Sequence, residues 1–545
     1  MKRSLVLALL ISALACSSSP KADNPSGGGA TGGENGTGGS SAGTGAKIGG
    51  AGGNSSTGGA GGGVTAVDTS QSVLERNKHP NRDGVFVQPT LTKAKAATLS
   101  ADTAFNTAAT FTGDVFSSLL YMANGPNGKG TFYTVTDGNT VTAIDETTGT
   151  TVWSTPLGMA PGKTGAGCGT ISPIGVISTP VIDATARVIY LAGAIGTSQT
   201  ITDHKIWALS VDDGTVKSGW PISVSKATSG NLTFNPVVQN QRSALSLVNG
   251  TLYVAYGGHN YDCGAYHGWV IGIDTQDPTM MGAWATAGQG EAIWPAGGMA
   301  SDGNGVFAVT GNSTSGVTTH MDSEELVRIT GLGTRSDSWY PTTWHTMDMN
   351  DADLSSSSPL YIQVAGATPS KMVVAIAKDG VMYLLDAGNL GGMGGQKAQF
   401  QVAGPSGGEG MLIHTVPASY TTSTGTYVVF STDSGGNCPA SGPSGAVVMS
   451  VLIPAGAPPK PQVAWCVSAS NTPGPISTTT DGTNETVVWF MNNGKLTGVD
   501  GDMGTNIYTS SNSCGGTVQH WTSPIAVNGH IVTSGSGHLC SWSAH

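Results

Sequence analysis

The sequence predicts an all-β protein: an eight-bladed β-propeller, with seven blades as the alternative count, carried behind an N-terminal lipoprotein signal and a Gly/Ser-rich tether. Three observations lead there. A short β unit recurs at intervals of roughly 45–60 residues along the 545-residue chain, and units of that period stack because none can bury its faces alone. Long patterns with helical periodicity are absent. The last unit is one strand short, whereas a closed ring leaves no open sheet edge. The missing strand is therefore expected from the N-terminal side.

Residues 1–15 read as an export signal. Lys2 and Arg3 precede the apolar run Leu5–Leu14, which is too short for a membrane span of about 20 residues but right for a signal peptide. Ala13-Leu14-Ala15-Cys16 resembles a bacterial lipobox and places a lipid anchor on Cys16; an ordinary signal peptide cut near Ala15 is the alternative. Ser17, rather than Asp, is similar to lipoproteins sent on to the outer membrane. Residues 16–66 are almost wholly Gly, Ser, Thr, Ala and Asn. Such a stretch cannot bury enough apolar surface to offset chain entropy, so a disordered linker is expected, reaching on the order of 40 Å. The propeller is assigned to residues 67–545.

The first repeat, Gly130–Gly158, reads strand, turn at Asp137-Gly138, strand, turn at Thr148-Gly149, then a strand through Trp153, with Val141, Ile144 and Val152 in alternation. The second opens at Thr179–Asp183 and ends at Trp220-Pro221. Leu245–Tyr256 with Gly268–Asp274 makes the third, and Gly298–Gly311 with Glu325–Ile329 the fourth. Ser358–Ile362, Met372–Ala377 and Gly380–Asp386 form the fifth. Thr426–Thr432, Ala446–Ile453 and Val463–Val467 form the sixth; Pro475–Thr480, Thr486–Met491 and Lys495–Asp500 the seventh. Trp521–His545 supplies about three strands of an eighth, and Phe86–Leu91 or Phe105–Phe111 is expected to complete it.

Only 10% of residues are charged, against roughly 25% in an average domain, which suits an exported β-rich surface of hydroxyls and amides. The net charge of −11 speaks against a nucleic-acid partner. Six cysteines remain beyond Cys16, an even number that in an exported chain implies disulfides. Cys438 with Cys466 and Cys514 with Cys540 each lie within one or two repeats; Cys168 and Cys263 are left for each other. No Cys-x-x-Cys-His haem motif or Cys-x-x-Cys zinc pair occurs. Gly404-Pro405-Ser406-Gly407-Gly408 matches a nucleophile elbow in letters but lacks the strand-turn-helix setting. Asp348–Asp353 reads as a solvated turn. Asn240–Trp269 crowds His259, Asp262, Tyr266 and His267 into one inter-strand loop, read either as an end-face binding loop or as a disulfide-pinned loop with satisfied histidines.

The repeat order "Asp-Gly, apolar strand, Ala-Ile-Asp, Thr-Gly, Val-Trp" resembles that of the PQQ (pyrroloquinoline quinone) quinoproteins and their non-catalytic propeller relatives. Glu291–Asn312, EAIWPAGGMASDGNGVFAVTGN, is similar to the quinoprotein alcohol dehydrogenase segment in which a Trp floors the flat quinone and an Asn oxygen binds Ca²⁺. The resemblance implies those roles for Trp294 and Asn312. It further implies Asp262 as a second calcium ligand where the family has Glu, Asp351 or Asp353 as catalytic base, and Lys378, on the Lys378-Asp379-Gly380 turn, as the basic residue touching the quinone. Calcium would act as Lewis acid on the quinone carbonyl. Three departures are visible: no adjacent Cys-Cys pair, Asp for the calcium Glu, and no Trp before the base. The strings GGH…DCGxYHGW and Ala375–Gly392 look like a group of uncharacterised bacterial exported propellers.

Two functions follow as expectations. One is a tethered propeller binding a protein or carbohydrate partner at an end face. The other is a PQQ- and calcium-dependent dehydrogenase oxidising an alcohol or sugar.

Overall fold

In the segment TFYTVTDGNTVTAID, hydroxyl-bearing and branched apolar residues form two strands, Thr131–Thr136 and Thr140–Asp145. Their turn places Asn139 at φ 60°, a left-handed conformation that Asn tolerates. Asp145 then folds its carboxylate onto the amides of Thr147 and Thr148, at 3.0 and 2.9 Å, and Gly149 follows at φ 71°. The device recurs 355 residues later. Asp500 accepts from the amides of Asp502 and Met503, and Gly504 follows at φ 68°. Shared turn chemistry marks blades one and seven as copies of one unit.

The computed structural model describes residues 69–314, 317–404, 413–469, 474–515 and 522–544. Eight blade sheets, antiparallel among their four principal strands, follow one another along the chain, with one separate hairpin of Thr228–Ser229 and Leu232–Thr233. Their innermost strands are Leu120–Met122, Val181–Asp183, Ser246–Val248, Ala300–Ser301, Leu360–Gln363, Ala418–Thr422, Ile476–Thr479 and Ile525–Val527. Apolar clusters fill the space between successive blades. One joins Val141 to Leu191, the next Ala208 to Leu252, and so on round to a cluster that unites Trp489, Trp542 and Phe132 of blades seven, eight and one. The ring is closed. Cys16, the 16–66 linker and most of the 404–408 motif lie outside the described residues. Among the described residues no helix is long and apolar enough to cross a membrane.

Blade eight takes its fourth strand from the N-terminal side, as expected, but as Leu99–Ala101; of the expected Phe105–Phe111 only the end joins it, Thr110 bridging His538. Leu99–Ala101 pairs antiparallel with His538–Ala544. Asp102 caps the next turn, its side chain accepting from the Phe105 amide at 3.0 Å, and so makes Thr103–Ala108 a helix. Val85–Val87 instead lies parallel to Ile476–Thr479 on blade seven.

Neighbouring blades are also keyed by tryptophan. Trp153 Nε1 donates to Val211 O at 3.0 Å, and Trp465 Nε1 to Gly501 O at 2.8 Å. The glycine of each receiving turn is obligatory: a Cβ on Gly214 would lie 2.5 Å from Trp153, and one on Gly504 2.8 Å from Trp465. Disulfides join Cys168–Cys263, Cys438–Cys466 and Cys514–Cys540.

The segment Val73–Gln88 carries no repeat signature, yet it crosses the axial channel and bonds to the inner edge of every blade. Val73 exchanges hydrogen bonds with Tyr121. Leu74 O, Pro80 O, Asn81 O, Asp83 O and Gly84 O accept from Ile182, Ser301, Tyr361, Ser419 and Ser477. Arg82 reaches Leu245 O and Ser246 on blade three, and Gln88 reaches Ala526 O on blade eight. This plug seals the channel with buried Glu75, Arg76, Asn77 and Arg82.

Candidate functional site

Asn312 follows the second strand of blade four, Val306–Val309. Asp351 and Asp353 follow the short helix Trp344–Met349 that leads from blade four to blade five. Lys378 sits on the hairpin turn between Lys371–Ile376 and Val381–Asp386 of blade five. The ring brings these three loops together. Lys378 Nζ donates to Asp353 Oδ2 at 2.5 Å and to Asp351 Oδ2 at 3.2 Å. The other oxygen of Asp353 accepts from the Asn312 backbone amide at 2.8 Å.

Burial disfavours the Lys378 ammonium, but Asp353 and Asp351 more than offset it and hold its pKa above the ordinary lysine value. Asp351 is raised by partial burial and by Asp353, with Lys378 opposing. Gly311 makes the approach possible, since a Cβ there would lie 2.5 Å from Asp353 Oδ1 and 2.6 Å from Ser355 Oγ. Gly311→Ala is expected to cost about 1–3 kcal/mol by overpacking, read as a lowered thermal midpoint. Gly138→Ala, whose Cβ would meet only Thr136 Oγ1 at 3.7 Å, should change it far less.

Trp294 lies half-buried ahead of the inner strand of blade four. Its ring is met by Lys378 Nζ at 5.6 Å, by the Arg242 guanidinium at 5.6 Å and by the His414 ring at 5.6 Å. Cations stack favourably on indole. Burial lowers Arg242 to about 10, with Asp262 opposing. His414 in turn pairs with Asp433 at 3.0 Å. The hollow left between Trp294, Arg242, His414 and Ser356 is about 10 Å³.

Asp262 and Asn312 line a different cavity, of about 250 Å³, with Tyr266, Gln289 and Ser313. Asp262 accepts from Tyr266 Oη at 2.7 Å, and burial followed by this neighbour raises the phenol. The histidines of the same loop bond to the main chain through one ring nitrogen each, while His259 Nδ1 is buried without a hydrogen-bond partner. His259 bonds to Val237 O at 3.2 Å, His267 to Thr286 O at 3.0 Å, and burial lowers His259 to about 4. Trp294 and Asn312 thus belong to one neighbourhood through Lys378 and Asp353 but line separate hollows.

Asp348–Asp353 is only in part the solvated turn expected of it: Met349, Asn350 and Asp351 are exposed, but its two ends are buried. Asp348 is buried, accepting from the Ser313 amide at 3.1 Å and from Ser323 Oγ at 2.9 Å. Beneath it lie three fully buried glutamates that no motif announced. Glu291 accepts from Ser313 Oγ at 2.6 Å and the Gly288 amide at 2.8 Å, and burial raises it to about 7. Glu325 pairs with Arg335, yet burial still raises it to about 8. Glu324 accepts from the Leu354 amide, and burial and then Asp353 push it well above the ordinary value. Arg242 and His414 were also invisible as site residues: they come from the approaches to blades three and six, and only ring closure places them on Trp294.

A tricyclic quinone needs a pocket of hundreds of cubic ångströms. The Trp294 ring is instead packed by the protein's own Lys378, Arg242 and His414. In this arrangement the residues do not fit PQQ on that indole. For a cation, Asp262 and Asn312 offer hard oxygens on one cavity. Among the described residues, however, the only cluster of three or more His, Cys, Asp or Glu ligand atoms within common reach is Cys514, His538 and Cys540, two of which form a disulfide.

No protein-family model and no curated protein matches the chain. Solved structures do. A quinohemoprotein alcohol dehydrogenase from Pseudomonas putida HK5 superposes with TM-score 0.65 at 12% identity, over 88% of this chain and 81% of that one. The fold is shared with quinoprotein alcohol dehydrogenases. A quinohemoprotein alcohol dehydrogenase from Comamonas testosteroni gives 0.60 at 14% identity over 88% and 81%. A europium-containing methanol dehydrogenase gives 0.56 at 14% over 87% and 92%. At such identities the likeness is one of architecture.

Proposed function

We propose that this protein is an exported propeller, anchored through Cys16 at the outer membrane, that binds a protein or carbohydrate partner at an end face and does not oxidise alcohols. One observation carries the reading: the Trp294 face, where a quinone would lie, is occupied by Lys378, Arg242 and His414, with about 10 Å³ left. Asp353 serves as counter-ion to Lys378 rather than as a free base. The plug seals the channel, so a partner approaches from the loop-bearing end, where the Asp262–Asn312 cavity opens.

The test is reconstitution with PQQ and Ca²⁺ followed by dye reduction over a panel of alcohols and sugars. The expected result is neither stoichiometric quinone uptake nor dye reduction. Dye reduction by the wild type that is abolished in Asn312→Ala and Asp353→Asn would establish the dehydrogenase reading, with Asp351 or Asp353 as base, Asp262 and Asn312 on calcium, and Trp294 and Lys378 on PQQ.

A further inference from the structure

A second cavity, of about 520 Å³, lies at the opposite end of the inner strands. Three strands establish this. The approaches to blades four, five and six contribute Trp294, Ser356 and Val416 to the indole hollow; the same strands then run on to Ser301, Gln363 and Thr421, which line the second cavity. Its other wall is the plug, through His79, Asn81 and Asp83.

The polar groups on this wall are held in place from behind. Asp83 Oδ1 bonds His79 Nδ1 at 2.8 Å, which leaves Nε2 as the ring's remaining hydrogen-bonding atom. The Asn81 amide nitrogen donates to Asp83 Oδ2 and Tyr361 O, both at 3.3 Å, leaving its carbonyl oxygen. Gln363 Nε2 donates to Tyr361 Oη at 3.3 Å, again leaving the carbonyl. Both carboxylates on the lining already have partners, Asp83 with His79 and Asp302 with Arg328 at 2.5 Å. Asp83 directs its oxygens at His79, Asn81 and the Val85 amide, and Asp302 at Arg328 and the Asn304 amide, so both carboxylates are already engaged within the wall. Val85, Ile362 and the Tyr361 ring add an apolar floor.

We propose that this cavity binds a neutral, hydroxyl-rich ligand, a mono- or disaccharide. Its size falls in the range of about 300–1,000 Å³ typical of small-molecule sites, and an apolar floor ringed by a few fixed amide, imidazole and hydroxyl groups matches a pyranose, with its C–H face and its equatorial hydroxyls. The proposal goes beyond the partner-binding reading and concerns a different end of the ring, so the quinone assay neither supports nor undermines it.

The experiment is isothermal titration of the intact protein with glucose, galactose, N-acetylglucosamine, maltose and cellobiose. Glutamate and spermidine serve as charged probes. At least one saccharide is expected to bind, with affinity reduced about tenfold in His79→Ala and in Gln363→Ala, a loss in line with removing one buried hydrogen bond. Gln363 is exposed at a strand end, so its variant keeps the test open should His79→Ala fail to fold. The proposal is overturned if none of the five sugars binds, if binding survives both substitutions, or if only a charged probe binds.

Discussion

Arg82→Ala is expected to lower the free energy of unfolding by about 3–5 kcal/mol, the range seen when one partner of a buried ion pair is removed. Arg82 is wholly buried in the plug and uses its guanidinium in full. Nε donates to Met299 O at 2.9 Å. Nη1 donates to Glu75 Oε2 and Arg76 O, each at 2.9 Å. Nη2 donates to Leu245 O at 2.9 Å and Ser246 Oγ at 2.6 Å. Alanine leaves Arg76 O and Leu245 O without this donor, Met299 O with only Ser246 Oγ, and a void at the axis. Lysine should fare little better, because a point charge cannot reproduce the planar fork. Guanidinium denaturation followed by circular dichroism reads the effect as a lower midpoint. An unchanged midpoint in both variants would show that the plug does not hold the ring together.

Stability is expected to fall by on the order of 2–3 kcal/mol as pH rises from about 6.5 to 8.5. Burial raises Glu291 to about 7 and Glu325 to about 8, from an ordinary 4.5. A carboxyl whose folded pKa is raised favours the fold while neutral. Its contribution is complete below about 4.5 and is lost as pH climbs through the folded value. Buried His204 and His259, both lowered to about 4 from 6.5, act in the opposite direction; their penalty develops only below pH 6.5. The window above 6.5 therefore excludes the histidines and leaves the raised carboxyls, Glu291 and Glu325 with Glu324 and Glu75 acting in the same direction, at about 1.4 kcal/mol per pH unit for each carboxyl that ionises on unfolding. Glu291→Gln should flatten the profile near pH 7 while leaving the Glu325 component. A profile that is level or rising between 6.5 and 8.5 would contradict the buried, neutral state of both side chains.

Much of the ring was legible in the sequence because its determinants are local. Asp145 and Asp500 bond their own next turn, Gly149 and Gly504 supply the positive φ that follows, and branched residues alternate along each strand. The eight units and the Cys438–Cys466 and Cys514–Cys540 pairs followed from such local signals, whereas Cys168–Cys263, 95 residues apart, followed only as the remaining pair. The segment completing blade eight did not. Whether Leu99–Ala101 or Phe105–Phe111 becomes the strand depends on Asp102 capping a helix and on which of them reaches His538–Ala544.

The site was less legible still. Lys378 meets Asp351 and Asp353, and Asp353 meets the Asn312 amide, but the surroundings of the Trp294 ring are set by Arg242 and His414, 52 residues before and 120 after it. The sequence by itself determined the repeating β units, their turn glycines and the acidic, charge-poor composition, which follow from local residue choice and from interactions a few positions apart. The tertiary structure alone decided the plug through all eight blades, the buried glutamates and the cations that cover the indole. Those contacts join residues tens to hundreds of positions apart, and no periodicity records a meeting that exists only once the circle has closed.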